Sequence, residues 1–194
     1  MNAPDADDSI ELMLRLQRGD DLALNALMDR WQKPLVAFIQ RYTGNEQDAL
    51  DLAQETFVRI YETRARYQPS AKFSTFLFTI AGNLCRNLAR WRARHPAVSL
   101  NTAAEGSETL ETTLPDTGDS PADSAERHDL ASAVREHIQS LPHDLKTAIL
   151  LFEFQNLSHE EIAAALGCSP KAVETRLYRA RKILRETLSR WKLT

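Results

Sequence analysis

Apolar residues recur three and four positions apart along most of this chain, and the recurrence stops abruptly between His95-Pro96 and Ser124. Such spacing lays one face of an α-helix against a core, whereas a half-buried strand needs strict alternation. Only 6 glycines and 8 prolines punctuate 194 residues. The expected fold is therefore all-α: two small helical domains, an N-terminal bundle and a C-terminal helix-turn-helix domain, joined by a flexible acidic linker. The boundaries fall at 1–9 for a disordered N-terminus, 10–95 for the bundle, 96–124 for the linker and 125–194 for the second domain.

In the bundle, Asp20 or Asp21 caps a helix whose apolar face runs Leu24, Leu27, Met28, Trp31, Leu35, Phe38, Ile39 and Tyr42, with Pro34 marking a kink or break. A second helix over about 46–64 buries Leu50, Ala53, Phe57, Ile60 and Tyr61. A third begins near Lys72, with Leu77, Ile80, Ala81, Leu84, Leu88 and Trp91 as its stripe. The linker has too little apolar material to offset the entropy of ordering it. At most it spans about 100 Å, so the two halves can reach well-separated sites.

Beyond the linker, Ser158-His159-Glu160-Glu161 has the Ser-x-x-Glu form of a capping box and opens a short helix that Gly167 stops. Ser169 and Pro170 suit the N-cap and first turn of a last helix reaching about Trp191. A short and a long helix joined by a tight glycine turn make a helix-turn-helix. Val173, Leu177, Ala180 and Leu184 share the inner face of the long one.

The formal charge of −3 conceals strong segregation: −5 over 1–29, +6 over 30–95, −7 over 96–129 and +3 over 130–194. Two basic segments set between acidic ones point to a polyanionic partner. On the last helix, Glu174, Thr175, Tyr178 and Arg179 lie where a recognition helix meets the major groove, and Lys171, Arg176 and Arg181 suit phosphates. On the third helix, Arg86 and Arg90 stand with Asn83 and Asn87 beside the loop bearing Tyr67, Gln68 and Lys72 and the nearby Phe76. Basic and amide groups interleaved with aromatics can hold unstacked single-stranded bases. Asp48, Asp51, Gln54 and Glu55 form an acidic stripe on the second helix, suited to a basic protein surface.

Other classes are excluded or weakly supported. No apolar run spans a bilayer, and the acidic start Met1-Asn2-Ala3-Pro4-Asp5 does not read as a secretory signal, so the chain is expected in the cytoplasm. Cys85 and Cys168 offer neither a disulfide framework nor zinc spacing. No catalytic constellation, cofactor motif or metal-ligand set is legible, and the five histidines read as surface residues. The chain is not expected to be an enzyme.

Four segments, in order, resemble a bacterial sigma factor of the extracytoplasmic-function class, the smallest members of the sigma-70 family. They are Gly19-Asp20 to Arg30-Trp31, Asp48-Ala49-Leu50-Asp51-Leu52-Ala53-Gln54-Glu55-Thr56-Phe57, Phe73-Ser74-Thr75-Phe76 to Asn83, and Leu141-Pro142 followed by Leu157 to Arg181. The resemblance implies that Asp48, Asp51, Gln54 and Glu55 dock on the clamp helices of core RNA polymerase. It also implies that the third segment melts and reads the promoter's minus-ten element while the last helix reads minus-35. It further implies control by an anti-sigma factor. Phe76 stands where the family usually has Trp, Ala172 where Thr is frequent, and Glu174 where a basic or polar residue often faces DNA. The alternative from the residues alone is a two-domain regulator that binds duplex DNA unaided, with 10–95 sensing or dimerising.

Overall fold

In the computed structural model, residues 6–69, 71–95 and 121–191 are described. They form eight α-helices: α1 (Ala6–Gln17), α2 (Leu22–Thr43), α3 (Glu46–Thr63), α4 (Phe73–Arg94), α5 (Pro121–Ser140), α6 (His143–Gln155), α7 (His159–Leu166) and α8 (Pro170–Trp191). A 3-10 turn at Arg64–Arg66 follows α3. The fold is all-α, in two helical regions, and the segment 96–120 lies outside the described residues.

The local signals act as their chemistry requires. Asn45 caps α3 by accepting from the Asp48 amide at 2.9 Å. Ser158 and Glu161 close a reciprocal capping box on α7, satisfying two amides that a helix start leaves orphaned. Gly167 ends α7 at φ +61, in the left-handed region where a side chain is strained. Ser169 Oγ accepts from the Ala172 amide at 3.2 Å as α8 begins with Pro170.

Four expectations change. Helix α1 starts at Ala6 rather than after residue 9, because Ser9 is fully buried and accepts from Trp31 Nε1 at 3.0 Å. Helix α2 runs through Pro34 without a break, its apolar face being held on both sides of the proline. Leu50 and Trp91, expected in the core, are 39% and 54% exposed; Trp91 instead stacks on His95, ring centroids 5.0 Å apart. Helix α5 begins at Pro121, inside the segment read as linker.

The largest difference concerns the two halves. They do not stand apart: one apolar core runs from Met13 and Leu16 through Phe38, Phe73 and Phe78 to Leu150, Leu151, Val173 and Leu177. Helices α2 and α4 of the first half pack on α6 and α7 of the second. Lys146 lies over the Tyr42 ring at 4.7 Å and Arg41 over Phe154 at 4.5 Å. Thr147, fully buried, faces Gly82 closely enough that an added Cβ would touch its methyl at 3.6 Å.

Candidate nucleic-acid interface

The short α7 and the long α8 present the helix-turn-helix as anticipated. Val173, Leu177 and Ala180 are buried and Leu184 packs against the core, which turns Lys171, Glu174, Thr175, Tyr178 and Arg179 to the surface. Tyr178 is 69% exposed. Lys171 Nζ pairs with Glu174 at 2.6 Å, and that ammonium holds the Glu174 carboxyl below its ordinary range. Glu174 thereby partly neutralises the lysine that precedes it. Arg181 is anchored to Glu153 at 2.7 Å, while Arg179 makes no ion pair among the described residues. An open groove of roughly 540 Å³ beside these residues is lined by the basic Arg181, Lys182 and Arg185, the acidic Glu174 and Glu186, and His159, Leu177 and Tyr178.

Arg176 departs from expectation. Its guanidinium turns inward, donating to Asp144 Oδ2 at 3.3 Å and Cys168 Sγ at 3.1 Å. It fastens α8 to α6 and the helix-turn-helix turn instead of facing a phosphate.

On α4, Asn83, Asn87 and Arg90 are exposed and Arg86 half-buried, and Gln68 and Lys72 are exposed beside the helix start. Asn83, Arg86, Asn87 and Arg90 recur at helical spacing on one side of α4, and Gln68 and Lys72 lie at its start. Tyr67 and Phe76 do not join them: Tyr67 is 6% exposed, Phe76 packs against the core, and their rings stand 5.2 Å apart. They brace the loop from beneath and are not a stacking platform in this arrangement. Tyr67 Oη is buried without a hydrogen-bond partner among the described residues, and burial raises its pKa.

The acidic stripe of α3 divides. Asp51 and Gln54 face outward and Glu55 is half-buried; Asp51 accepts from Gln47 at 2.9 Å and Glu55 pairs with Arg59 at 2.7 Å. Asp48 is drawn away, its side chain 18% exposed and paired with Arg92 of α4 at 2.7 Å. Val58, 49% exposed, lies one turn after Gln54, and Leu50, 39% exposed, lies one turn before it and beside Asp51, adding apolar surface. The helical period alone places Leu50 on the inner stripe, because spacing does not distinguish an exposed apolar residue from a core one.

His143, read as a surface residue, is the chemically distinctive group between the halves. Its Nδ1 is hydrogen-bonded to the Tyr42 hydroxyl, the rings 5.6 Å apart. Burial first, then the nearby cationic Arg86, Lys146 and Arg90, push its pKa down to about 4 against a partial upward pull from Asp144. The imidazole is neutral at pH 7. Burial likewise pushes the Cys85 thiol up to about 12, leaving it unreactive.

The family model of sigma-70 region 2 matches residues 27–95, and that of sigma-70 region 4 matches residues 131–184. The RNA polymerase sigma-H factor of Pseudomonas aeruginosa is 35% identical over 180 residues, 92% of each chain. The ECF RNA polymerase sigma-E factor of Escherichia coli K12 is 32% identical over 173 residues, 89% of this chain and 90% of that one. Among solved structures, CnrH in complex with the cytosolic domain of CnrY matches with a TM-score of 0.68 and 28% identity over 95% of this chain and 98% of that one. The sigma factor RpoE of Bartonella quintana, solved with the anti-sigma factor NepR, shares the fold with a TM-score of 0.60 at 23% identity, covering 95% of this chain and 98% of its own.

Proposed function

Because the chain belongs to the extracytoplasmic-function sigma factors of the sigma-70 family, which direct promoter-specific transcription initiation by RNA polymerase, we propose how its own residues divide that task. Asp51, Gln54 and Glu55, with Leu50 and Val58, dock on core polymerase. Lys171, Thr175, Tyr178, Arg179 and Arg181 enter the minus-35 major groove, where Arg179, exposed and without an ion pair among the described residues, suits the paired acceptors of guanine. Gln68, Lys72, Asn83, Arg86, Asn87 and Arg90 hold the melted minus-ten strand. Residues 10–95 and 125–194 form the two functional domains, and the polymerase supplies the chemistry of RNA synthesis in the bacterial cytoplasm. No helix of the described residues is long and apolar enough to cross a membrane.

The observation that carries this reading is the outward display of α8 on a buried Val173-Leu177-Ala180 seam, 22 residues long and stopped on its N-terminal side by a glycine turn. A protein partner of anti-sigma type is part of the proposal: CnrH, of the same fold and 28% identical, is bound by the cytosolic domain of CnrY. The deciding experiment reconstitutes the chain with core polymerase and follows initiation on promoter fragments. Asp51→Arg is expected to abolish core binding by more than tenfold with an unchanged thermal melt. Tight, sequence-specific duplex binding by the chain alone, unaffected by polymerase, would instead support the direct DNA-binding regulator.

A further inference from the structure

Beyond Leu88 every residue of α4, and His95 after it, is exposed, so this end of the helix projects roughly 9 Å free of the core. It carries Arg90, Arg92 and Arg94 and no acid. Much of what shapes it is local. Trp91 stacks on His95 with ring centroids 5.0 Å apart, the His95 amide donates to the Trp91 carbonyl at 2.9 Å, and Arg94 Nε donates to the Arg90 carbonyl at 3.3 Å. Contacts of this kind keep the segment helical but do not aim it. Among the described residues, its ionic tie to another helix is Arg92 to Asp48 of α3: Nη2 donates to Oδ1 at 2.8 Å and lies 2.7 Å from Oδ2.

The carboxylate end of that tie is fixed. Asp48 lies in the first turn of α3, where the helix dipole favours a negative charge, and its amide donates to the Asn45 cap at 2.9 Å. Asp48 Oδ2 is shielded from solvent and makes no hydrogen bond among the described residues, so Arg92 is the charge that compensates it. Two residues turn a helix by about 200°. With Arg92 held against α3, Arg90 and Arg94 therefore point the other way, on the side of Asn83 and Asn87. We propose that Asp48 is a positioning residue: through Arg92 it aims the projecting end of α4, so that Arg90, joined by Arg94, meets promoter phosphates. The proposal rests on the assignment of Arg90 to the minus-ten strand. It takes Asp48 out of the docking set of Asp51, Gln54 and Glu55 and gives α3 two tasks, docking on polymerase with its outer face and directing the DNA-binding helix with its first turn. Arg92 is half-exposed, so the pair contributes little to stability; its effect is on direction.

The test uses the full-length chain reconstituted with core polymerase and the isosteric change Asp48→Asn. Titration of core into the dye-labelled chain reads docking, and holoenzyme binding to a promoter recovered by run-off transcription from genomic fragments reads DNA contact over a series of salt concentrations. Asp48→Asn is expected to leave core affinity within about twofold and the thermal melt close to wild type. DNA affinity is expected to fall by about threefold to tenfold, with a shallower salt dependence, as the loss of one or two phosphate contacts requires. Asp48→Glu, which keeps the charge, is expected to restore both DNA readouts. Arg92→Gln is expected to match Asp48→Asn, and the double variant to fall no further than either single one. A core affinity lowered beyond about twofold overturns the proposal by making Asp48 a docking residue. Unchanged or tighter DNA binding by Asp48→Asn also overturns it, the second showing that Arg92, once released, holds a phosphate itself. Arg90→Ala separates the two levels. If it leaves DNA binding intact, the minus-ten assignment of Arg90 fails; if it weakens binding while Asp48→Asn does not, the positioning role alone fails.

Discussion

Arg176 and Arg179 stand three residues apart on α8, one drawn inward to Asp144 and Cys168 and the other exposed at the surface. Three residues turn a helix by about 300°, enough to separate a brace from a reader when the inward seam is narrow. Arg179→Ala is expected to weaken holoenzyme binding to a minus-35 duplex by about 1–3 kcal/mol, the usual worth of a bidentate base contact, and to relax preference at one base pair. Arg176→Ala is expected to leave that affinity within about twofold and to lower the melting temperature instead. Competition binding against a set of single-base variants, alongside a thermal melt, checks both. Asp48 and Asp51 divide in the same way on α3, one paired to Arg92 and the other open to a partner.

At the scale of elements, α7 is short enough for its ends to decide whether it forms. Eight residues leave little intrahelical hydrogen bonding, so the Ser158-Glu161 box and the left-handed Gly167 carry much of its definition. Ser158→Ala is expected to cost about 1 kcal/mol, visible as a lower urea midpoint with an unchanged slope. These caps were legible in the sequence because they depend on residues within four positions of one another. The same holds for the Ser169-Pro170 start of α8. Trp91 and Leu50 were not legible, since a helical period shows that a side chain lies on the apolar stripe and not whether the stripe has a neighbour at that turn.

Across the whole molecule, the packing of α2 and α4 on α6 ties stability to pH through His143. Its neighbours are Tyr42 on α2, Arg86 and Arg90 on α4, and Asp144, Lys146 and Thr147 on α6. A pKa of about 4 in the folded chain, below the ordinary 6.5, means that the unfolded chain binds the extra proton first. Stability from the neutral imidazole is therefore complete above pH 6.5 and declines as pH falls towards 4. The expected loss is about 2–3 kcal/mol between pH 7 and pH 4. Urea unfolding of the wild type and of His143→Gln at both pH values isolates it: the wild type is expected to lose more by that amount, and equal losses would remove His143 from the account.

By itself the sequence determined the all-α class, most helix boundaries, the helix-turn-helix and the family motifs, because these follow from periodicity, caps and breakers that act within a few residues. It also marked the basic faces, since charge segregation needs no partner to be visible. Only the tertiary structure decided which members of those faces remain available. Burial of Tyr67, the inward turn of Arg176, the pairing of Asp48 with Arg92 and the joining of both halves in one core are set by contacts between residues tens of positions apart. The pairs Lys72–Glu161 and Arg86–Asp144 belong to the same class: each partner alone reads as a solvated charge, and only the fold brings the two together.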